Sequence, residues 1–203
     1  MESARMLPAS AGARRAAGRL TRERVVDAAY TIIDSGEYAQ LSMRRLARDL
    51  GVAPMTLYGY VRDRDDLLDA VVDRLMASVW RPTLIAGTAR EWMVDSCRRF
   101  YELLVDEPAA LHIYLARPVT SPAAKDRLAA FLDHLDAAGI TPEASMGAYA
   151  TIHTYTIGFA ALAASRRRFH ELNTDPAAES LRAFVSIDQY LKGLAVILDG
   201  LGI

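Results

Sequence analysis

The chain has 203 residues, 52% apolar and 24% charged, with a formal net charge of −1, which is enough apolar material for the core of one large domain or two small ones. No apolar run approaches the roughly 20 residues that span a bilayer, and the start MESARMLPASAGARRAAGRL has no continuous apolar stretch of the kind a secretory signal needs. Cys97 is the single cysteine, so an intrachain disulfide or a cysteine-based metal site is excluded, in keeping with a cytoplasmic setting.

The near-neutral total conceals a division. Residues 1–64 carry 11 arginines against 7 acidic residues, whereas residues 65–203 carry 13 basic against 18 acidic. A positive head on a negative body suits a chain that brings only its N-terminal third to a polyanion. Residues 1–19 are rich in Ala, Gly, Ser and Arg without periodicity. They predict a flexible basic arm able to follow a minor groove or phosphates through Arg14, Arg15 and Arg19.

A first helix is expected from Thr21, its N-cap, with Val25, Val26, Ala29, Ile32 and Ile33 on one apolar face and Gly36 as the C-cap. Ser42 then caps a second helix that buries Leu46, Ala47 and Leu50. Gly51 stands where the turn after it needs φ > 0, and Pro54 suits the first turn of a third helix bearing Thr56, Tyr58 and Tyr60. Asp63 caps a fourth helix, whose face of Leu67, Leu68, Val71, Val72, Leu75, Met76 and Val79 points inward before Pro82. Helix, glycine turn and short helix between arginine-bearing flanks form a layout that can place one helix in a DNA major groove.

Beyond residue 81 the helical pattern continues over 88–106, 108–116, 122–138, 142–168 and 177–200, and alternating strand patterns are absent. The fold class is therefore all-α: a three-helix helix-turn-helix DNA-binding domain over residues 20–66 and a larger helical domain over 67–203. The last two helices are the longest and least polar. Ile152, Tyr155, Thr156, Phe159, Ala160 and Ala163 share a face of one, and Phe184, Ile187, Leu191, Leu194, Ala195 and Leu198 a face of the other. Two such faces favour a homodimer through a four-helix interface.

The segment LTRERVVDAAYTIIDSGEYAQLSMRRLARDLGVAPMTLYGYVRDRDDLLDAVVDRL resembles the N-terminal domain of the tetracycline-repressor (TetR) family. The glycine turn, the Leu-Tyr pair, the second aromatic and the basic residue before Leu-Leu in LGVAPMTLYGYVRDRDDLL carry the match. EPAALHIYLARPVTSPAAKDRLAAFLDHLDAAG resembles, more weakly, the ligand-binding domain of the tetracycline-repressor subgroup. The resemblance implies that residues 67–203 are a helical ligand-binding and dimerisation domain, in a homodimer that binds a palindromic double-stranded DNA operator and releases it when a small-molecule effector occupies the body.

The candidate DNA-binding residues divide by chemistry. Thr56 offers a hydroxyl and a methyl to a base edge, and Pro54 and Met55 read only by shape or apolar contact. Tyr58 and Tyr60 can donate to phosphate oxygens. Arg64 matches the basic residue that the family turns toward phosphate at the start of its fourth helix. Arg44 matches a base-contacting position, where a guanidinium can fork onto guanine. Ser42 at an exposed helix N-terminus adds a phosphate site. Tyr30 and Tyr38 are assigned to the core.

In the tetracycline repressor the drug arrives as a magnesium chelate held by histidine, threonine and glutamate. Alignment on Arg117–Pro118 puts Ile113 and Ala116 at the first two positions, and alignment on HTYTIGFAALAAS puts about Leu162 at the third. None has an oxygen or nitrogen ligand for a hard cation, so tetracycline–magnesium is not the expected effector, and no metal or cofactor is called for. Trp92, Phe100, Tyr101, His112, His134, Tyr149 and His153 are the candidate ligand-binding residues, with Tyr114, Met146 and Tyr155 adding to the same inventory. Their composition favours an apolar or aromatic molecule. Arg166, Arg167 and Arg168 read as a solvated run. Catalysis is not supported, because Cys97 and the histidines sit in no nucleophile, phosphate-loop or metal motif. Control by a protein partner, or activation in place of repression, is the alternative.

Overall fold

The structure, a computed structural model, describes residues 19–81, 87–172 and 185–203, with no description of the side chains of 168–172. Among the described residues there is no strand. The helices are α1 (Arg22–Ile32), α2 (Met43–Leu50), α3 (Pro54–Leu57), α4 (Arg64–Val79), α5 (Ala89–Asp106), α6 (Pro108–Ala116), α7 (Pro122–Ala137), α8 (Pro142–Leu172) and α9 (Ile187–Gly200). The all-helical, two-part architecture is as expected.

Side-chain caps set the starts. The hydroxyls of Thr21 and Ser42 accept from the backbone N–H groups of Arg24 and Arg45, at 3.3 and 3.2 Å. The Asp63 carboxylate accepts from Asp66 N–H at 2.8 Å. Thr88 and Glu91 cap α5 reciprocally, while Ser121 and Ser186 cap α7 and α9. Each cap satisfies a donor that the helix itself leaves unpaired, typically worth about 1 kcal/mol.

The helix expected over 142–168 runs four residues further, to Leu172, and three other boundaries differ from the expected ones. The regular turn of α1 ends at Ile32. The chain then passes through a wider turn at Ile33–Glu37, where Gly36 has φ 81°, and a tight one at Tyr38–Gln40. The third helix stops at Leu57, so Tyr58 and Tyr60 lie in the turn that follows it and not on it. Gly59, a poor helix former, and the N-cap of α4 four residues later leave no room for another turn. The last helix begins at Ile187, with Val185 and Ser186 outside it, because Ser186 takes the extended conformation of an N-cap. Residues 177–184 of that expected helix, Phe184 included, lie outside the described residues, as do the arm residues Arg14 and Arg15 and the segment-closing Pro82.

Two cores meet along α4. The first joins Val25, Ala29 and Ile33 to Leu46, Leu57, Val61 and the α4 residues Leu67, Leu68, Val71, Val72 and Met76, and it draws in Leu103, Ala109 and Ile113 from α5 and α6. The second gathers Trp92, Met93, Leu104, Leu135, Ile152, Ala160, Leu194 and Leu198 around α5. Within it Tyr190 stacks between Tyr101 and Tyr155 at centroid distances of 4.4 and 5.4 Å. The Tyr190 hydroxyl donates to the Cys97 carbonyl at 3.2 Å and meets Thr156 Oγ1 at 2.9 Å. Tyr155 in turn donates to the Tyr190 carbonyl at 3.0 Å. That geometry requires Gly193: a Cβ there would stand 2.1 Å from the Tyr155 hydroxyl.

The faces expected to dimerise are therefore mostly committed within the chain. Ile152, Thr156, Ala160 and Ala163 of α8 and Leu194 and Leu198 of α9 are buried. The outward faces carry other residues, including the exposed Met146, Leu162 and Val196.

Candidate nucleic-acid interface and internal cavity

Gly51 ends α2 in the left-handed region (φ 69°, ψ 30°), and the reversal there sets α3 across α2. Leu46, Ala47 and Leu57 are buried beneath the reversal. This leaves the opposite face of the pair to solvent. Ser42, Arg44, Pro54, Met55, Thr56 and Tyr58 are all exposed. Met55, at 77%, is among the most exposed large apolar side chains in the molecule. Arg44 makes no hydrogen bond or ion pair among the described residues, so its guanidinium is available.

Tyr60 and Arg64 are placed differently. Tyr60 is half-buried against the N-terminal core, and its carbonyl accepts from Arg22 at 3.0 Å. Arg22 also pairs with Asp66 at 3.4 Å, so the end of the turn is tied to both α1 and α4. Arg64 is half-buried. Its Nε donates to the Leu41 carbonyl at 3.2 Å, and its guanidinium lies 5.1 Å over the Tyr38 ring. It thus fastens the first turn of α4 to the residue before the α2 cap. Tyr38, half-buried as is Tyr30, stacks on its other neighbour, His112 of α6, at 6.2 Å. Tyr30 donates to Glu107 at 2.8 Å, a bond that helps to push its phenol up to about 12. Two exposed cations escaped the sequence reading. Arg48, with a side chain 75% exposed, lies one turn beyond Arg44 on α2, and Arg62, 83% exposed, precedes the α4 cap. The i, i+4 spacing from Arg44 was the signal for the first.

The body forms a partly open cavity of about 610 Å³ between α4, α5, the end of α6 and the segment after it, α7 and α8. Its walls include Phe100, Tyr149 and His153 from the expected set, together with Trp80, Tyr114, Phe131 and Ile152. His153 stacks on Phe100 at 5.5 Å and on Tyr149 at 5.1 Å, with the Tyr114 ring edge-on at 6.0 Å. Burial lowers the His153 imidazole below its ordinary 6.5 and pushes the Tyr114 phenol up to about 12 against the opposing charge of Arg127. Both groups are uncharged at neutral pH, and the aromatic wall is a polar-edged but neutral surface.

The other expected ligand residues lie elsewhere. Trp92 is buried behind the cavity, stacked on His134 at 3.7 Å, and its Nε1 donates to the Arg81 carbonyl at 3.0 Å. Tyr101 belongs to the Tyr190 stack, and His112 faces Tyr38. His112 and His134 each direct Nδ1 at the carbonyl one turn back, at 2.9 and 2.7 Å. A carbonyl only accepts, so Nδ1 carries the proton in both. The aromatic inventory was legible, but which side chains stack with one another and which face empty space depends on the helix packing.

Sequence reading missed the polar part of the wall: Ser96, Arg117, Lys125, Arg127 and Thr156. Arg117 pairs with Asp69 at 2.5 Å and with Asp65 at 3.4 Å, and Arg127 pairs with Asp73 at 2.8 Å. All three carboxylates belong to α4. Ser121 donates to Asp73 at 2.9 Å, and Thr120 meets Asp69 at 3.3 Å. Of the three positions aligned with magnesium ligands, Ala116 lines the cavity, Ile113 is buried in the N-terminal core, and Leu162 faces outward. Leu162 is five residues past the cavity residue Ile157, which turns it well away from the cavity face. Cys97 is buried, and its thiol is pushed up to about 12, so it stays protonated and unreactive.

A helix-turn-helix head with exposed basic residues, joined through one helix to a cavity-bearing helical body, is the layout of a DNA-binding regulator. Comparison with known proteins gives the family. The family model for bacterial regulatory proteins of the tetR family matches residues 25–71, and that for the tetracyclin repressor-like C-terminal domain matches residues 81–188. Over 142 residues the chain is 33% identical to the HTH-type transcriptional repressor DrrR1 of Streptomyces coeruleorubidus, covering 70% of this chain and about half (53%) of that protein. The fold is similar to that of the Streptomyces coelicolor TetR family protein ActR in complex with (S)-DNPA, with a TM-score of 0.71, 26% identity and coverage of 90% and 96% of the two chains. It is also similar to BioQ with its natural double-stranded DNA operator, at 0.70, 26%, 90% and 98%. The chain belongs to the tetR family of bacterial transcriptional regulators. Among the described residues, no helix is long and apolar enough to cross a membrane.

Proposed function

We propose that the chain is a cytoplasmic repressor that binds a palindromic operator as a homodimer and is released when a small apolar or aromatic molecule, not tetracycline–magnesium, fills the cavity. The observation that carries this reading is the double service of Arg117 and Arg127. Both line the cavity, and both hold α4, the helix whose first turn is fastened through Arg64 to the start of α2. A molecule that rearranges the cavity wall therefore works directly on the element that positions the DNA-facing pair. The operator-bound BioQ and the ligand-bound ActR support the two halves of the proposal by similarity.

In this reading Arg44 and Thr56 read base edges and Met55 and Pro54 contact them by shape. Tyr58, Ser42 and the outer cations hold phosphates, and the arm of residues 1–19 adds charge. Tyr60 and Arg64 act chiefly by holding the turn in place. The head spans residues 20–66 and the body 67–203, with α4 as the shared element. The homodimer uses the outward faces of α8 and α9. There the exposed Gly147, Thr151, Thr154 and Gly158 let backbones approach closely, and Leu162 and Val196 supply apolar surface. The purified protein is expected to retard a DNA fragment from upstream of its own gene. Raising salt from about 50 to 200 mM should weaken binding by roughly 10³ or more if six phosphates are contacted. Salt-independent binding, or none at any salt, would overturn the DNA assignment, and a monomer by light scattering at micromolar concentration would overturn the dimer.

A further inference from the structure

Among the described residues, three of the side chains lining the cavity are cationic, Arg117, Lys125 and Arg127, and no carboxylate lines it. They are not equivalent. Arg117 is held by two aspartates, Asp65 and Asp69, the second of which is buried. Lys125 is exposed at the rim and pairs with no carboxylate among the described residues. Arg127 is 88% buried yet has a single ion-pair partner among the described residues, Asp73, at 2.8 Å. Asp73 also accepts from the Ser121 hydroxyl, so it keeps a hydrogen bond if Arg127 leaves it.

The rest of the wall sets the shape of an occupant. His153, Phe100 and Tyr149 form a stacked aromatic side, and Trp80 and Phe131 add further apolar surface. The Ser96 hydroxyl is buried on this wall with no hydrogen-bond partner among the described residues. A flat ring system suits the stacked side, and an acceptor on it suits Ser96. A buried guanidinium deprived of its carboxylate is costly. A neutral occupant cannot draw Arg127 from Asp73 without that cost, whereas an anionic one replaces one carboxylate by another.

Resting on the reading of the body as an effector domain, we propose that the cavity takes planar aromatic acids, and that their carboxylate exchanges with Asp73 of α4 for the Arg127 guanidinium. Lys125 draws the anion to the rim. The exchange removes one of the ion pairs that tie α4 to the α6–α7 region. That weakens the hold on the helix which fixes α2, and the operator is released.

The test uses full-length protein with anthracene-9-carboxylate and, as its uncharged counterpart, anthracene-9-carboxamide. Calorimetry measures binding, and anisotropy of the labelled upstream fragment measures release. The carboxylate should bind at least tenfold more tightly than the amide. Arg127→Gln should bring the two within about twofold. Lys125→Gln, a surface change that holds no helix in place, should narrow the gap two- to threefold even if Arg127→Gln fails to fold. Asp73→Asn should bind the carboxylate at least threefold more tightly, because its competitor is gone, while weakening DNA binding. A merely structural role for the pair would move ligand affinity the other way. Equal affinities, no binding of either compound at millimolar concentration, or weaker carboxylate binding by Asp73→Asn would overturn the proposal. Failure of the ligand-free protein to bind the DNA fragment would instead count against the regulator reading, with the calorimetric preference judged separately.

Discussion

The head and the body of this molecule use aromatic and cationic side chains in opposite ways. In the head the chemistry points out. Met55, Tyr58, Arg44 and Arg48 stand in solvent on a small, tightly capped frame, and the buried residues beneath them are plain aliphatics such as Leu46 and Leu57. In the body the chemistry points in. Trp92, Tyr190, His153 and Arg127 are wholly or largely buried and stack on neighbouring rings, bond to backbone or pair with α4. Substitutions should therefore separate cleanly. Body variants should lose stability, and head variants should lose DNA affinity at unchanged stability.

The largest effect is expected at Trp92. It is fully buried, packed against His134, Trp80 and Phe131, and its indole N–H is satisfied by Arg81. Trp92→Ala should cost about 3–5 kcal/mol, which lowers the melting temperature by roughly 6–20 °C for a chain of this size. A calorimetric scan that shows a loss under 1 °C would break the assignment of Trp92 to the core and return it to the ligand wall. Gly193→Ala should come next, at about 1–3 kcal/mol, because the added Cβ must displace the Tyr155 ring. Melting of Gly193→Ala together with Tyr155→Ala checks the mechanism: with the ring gone, adding the Cβ should cost far less than it does in the unaltered protein.

In the head, Arg44→Ala should leave the melting temperature within 1–2 °C while reducing discrimination at one base pair per half-site by about 1–3 kcal/mol. Binding to a set of single-base operator variants measures this. A uniform loss over all variants would make Arg44 a phosphate contact, and an equal loss of stability would break the contrast between the two regions.

That contrast also explains what could be read from the chain. Caps and turns are local: Thr21, Ser42, Gly51, Pro54 and Asp63 do what their neighbours within three or four residues require, so the head was legible almost residue by residue. The stopping point of α3 was missed because Gly59 and the α4 cap act together, and each alone permits another turn. The cavity is a long-range object. Phe100 and His153 are 53 residues apart, and nothing in either segment distinguishes Phe100, which lines the space, from Tyr101 next to it, which stacks on Tyr190. Periodicity shows that both sides of α5 are apolar, but not which side finds a partner. The Asp69, Asp73, Arg117 and Arg127 links likewise join residues about 50 positions apart and have no local pattern.

The smallest expected effect bears on the neutral wall of the cavity. His153 is enclosed by Phe100, Tyr114 and Tyr149, and burial alone lowers its basicity; both tyrosines are shifted upward by burial and stay protonated. In the unfolded chain the imidazole titrates near 6.5. As the pH falls through that value the unfolded chain takes up a proton that the folded one resists, so the native state loses stability toward lower pH. His153→Phe keeps a ring in the stack and removes the titration. Its melting temperature should therefore fall less than that of the unaltered protein between pH 7.5 and 5.5, with every other titrating group common to both. An equal fall in the two proteins would mean that His153 is hydrated in the free cavity. The aromatic wall would then be wet before a ligand arrives, and part of the contrast with the solvent-facing head would go with it.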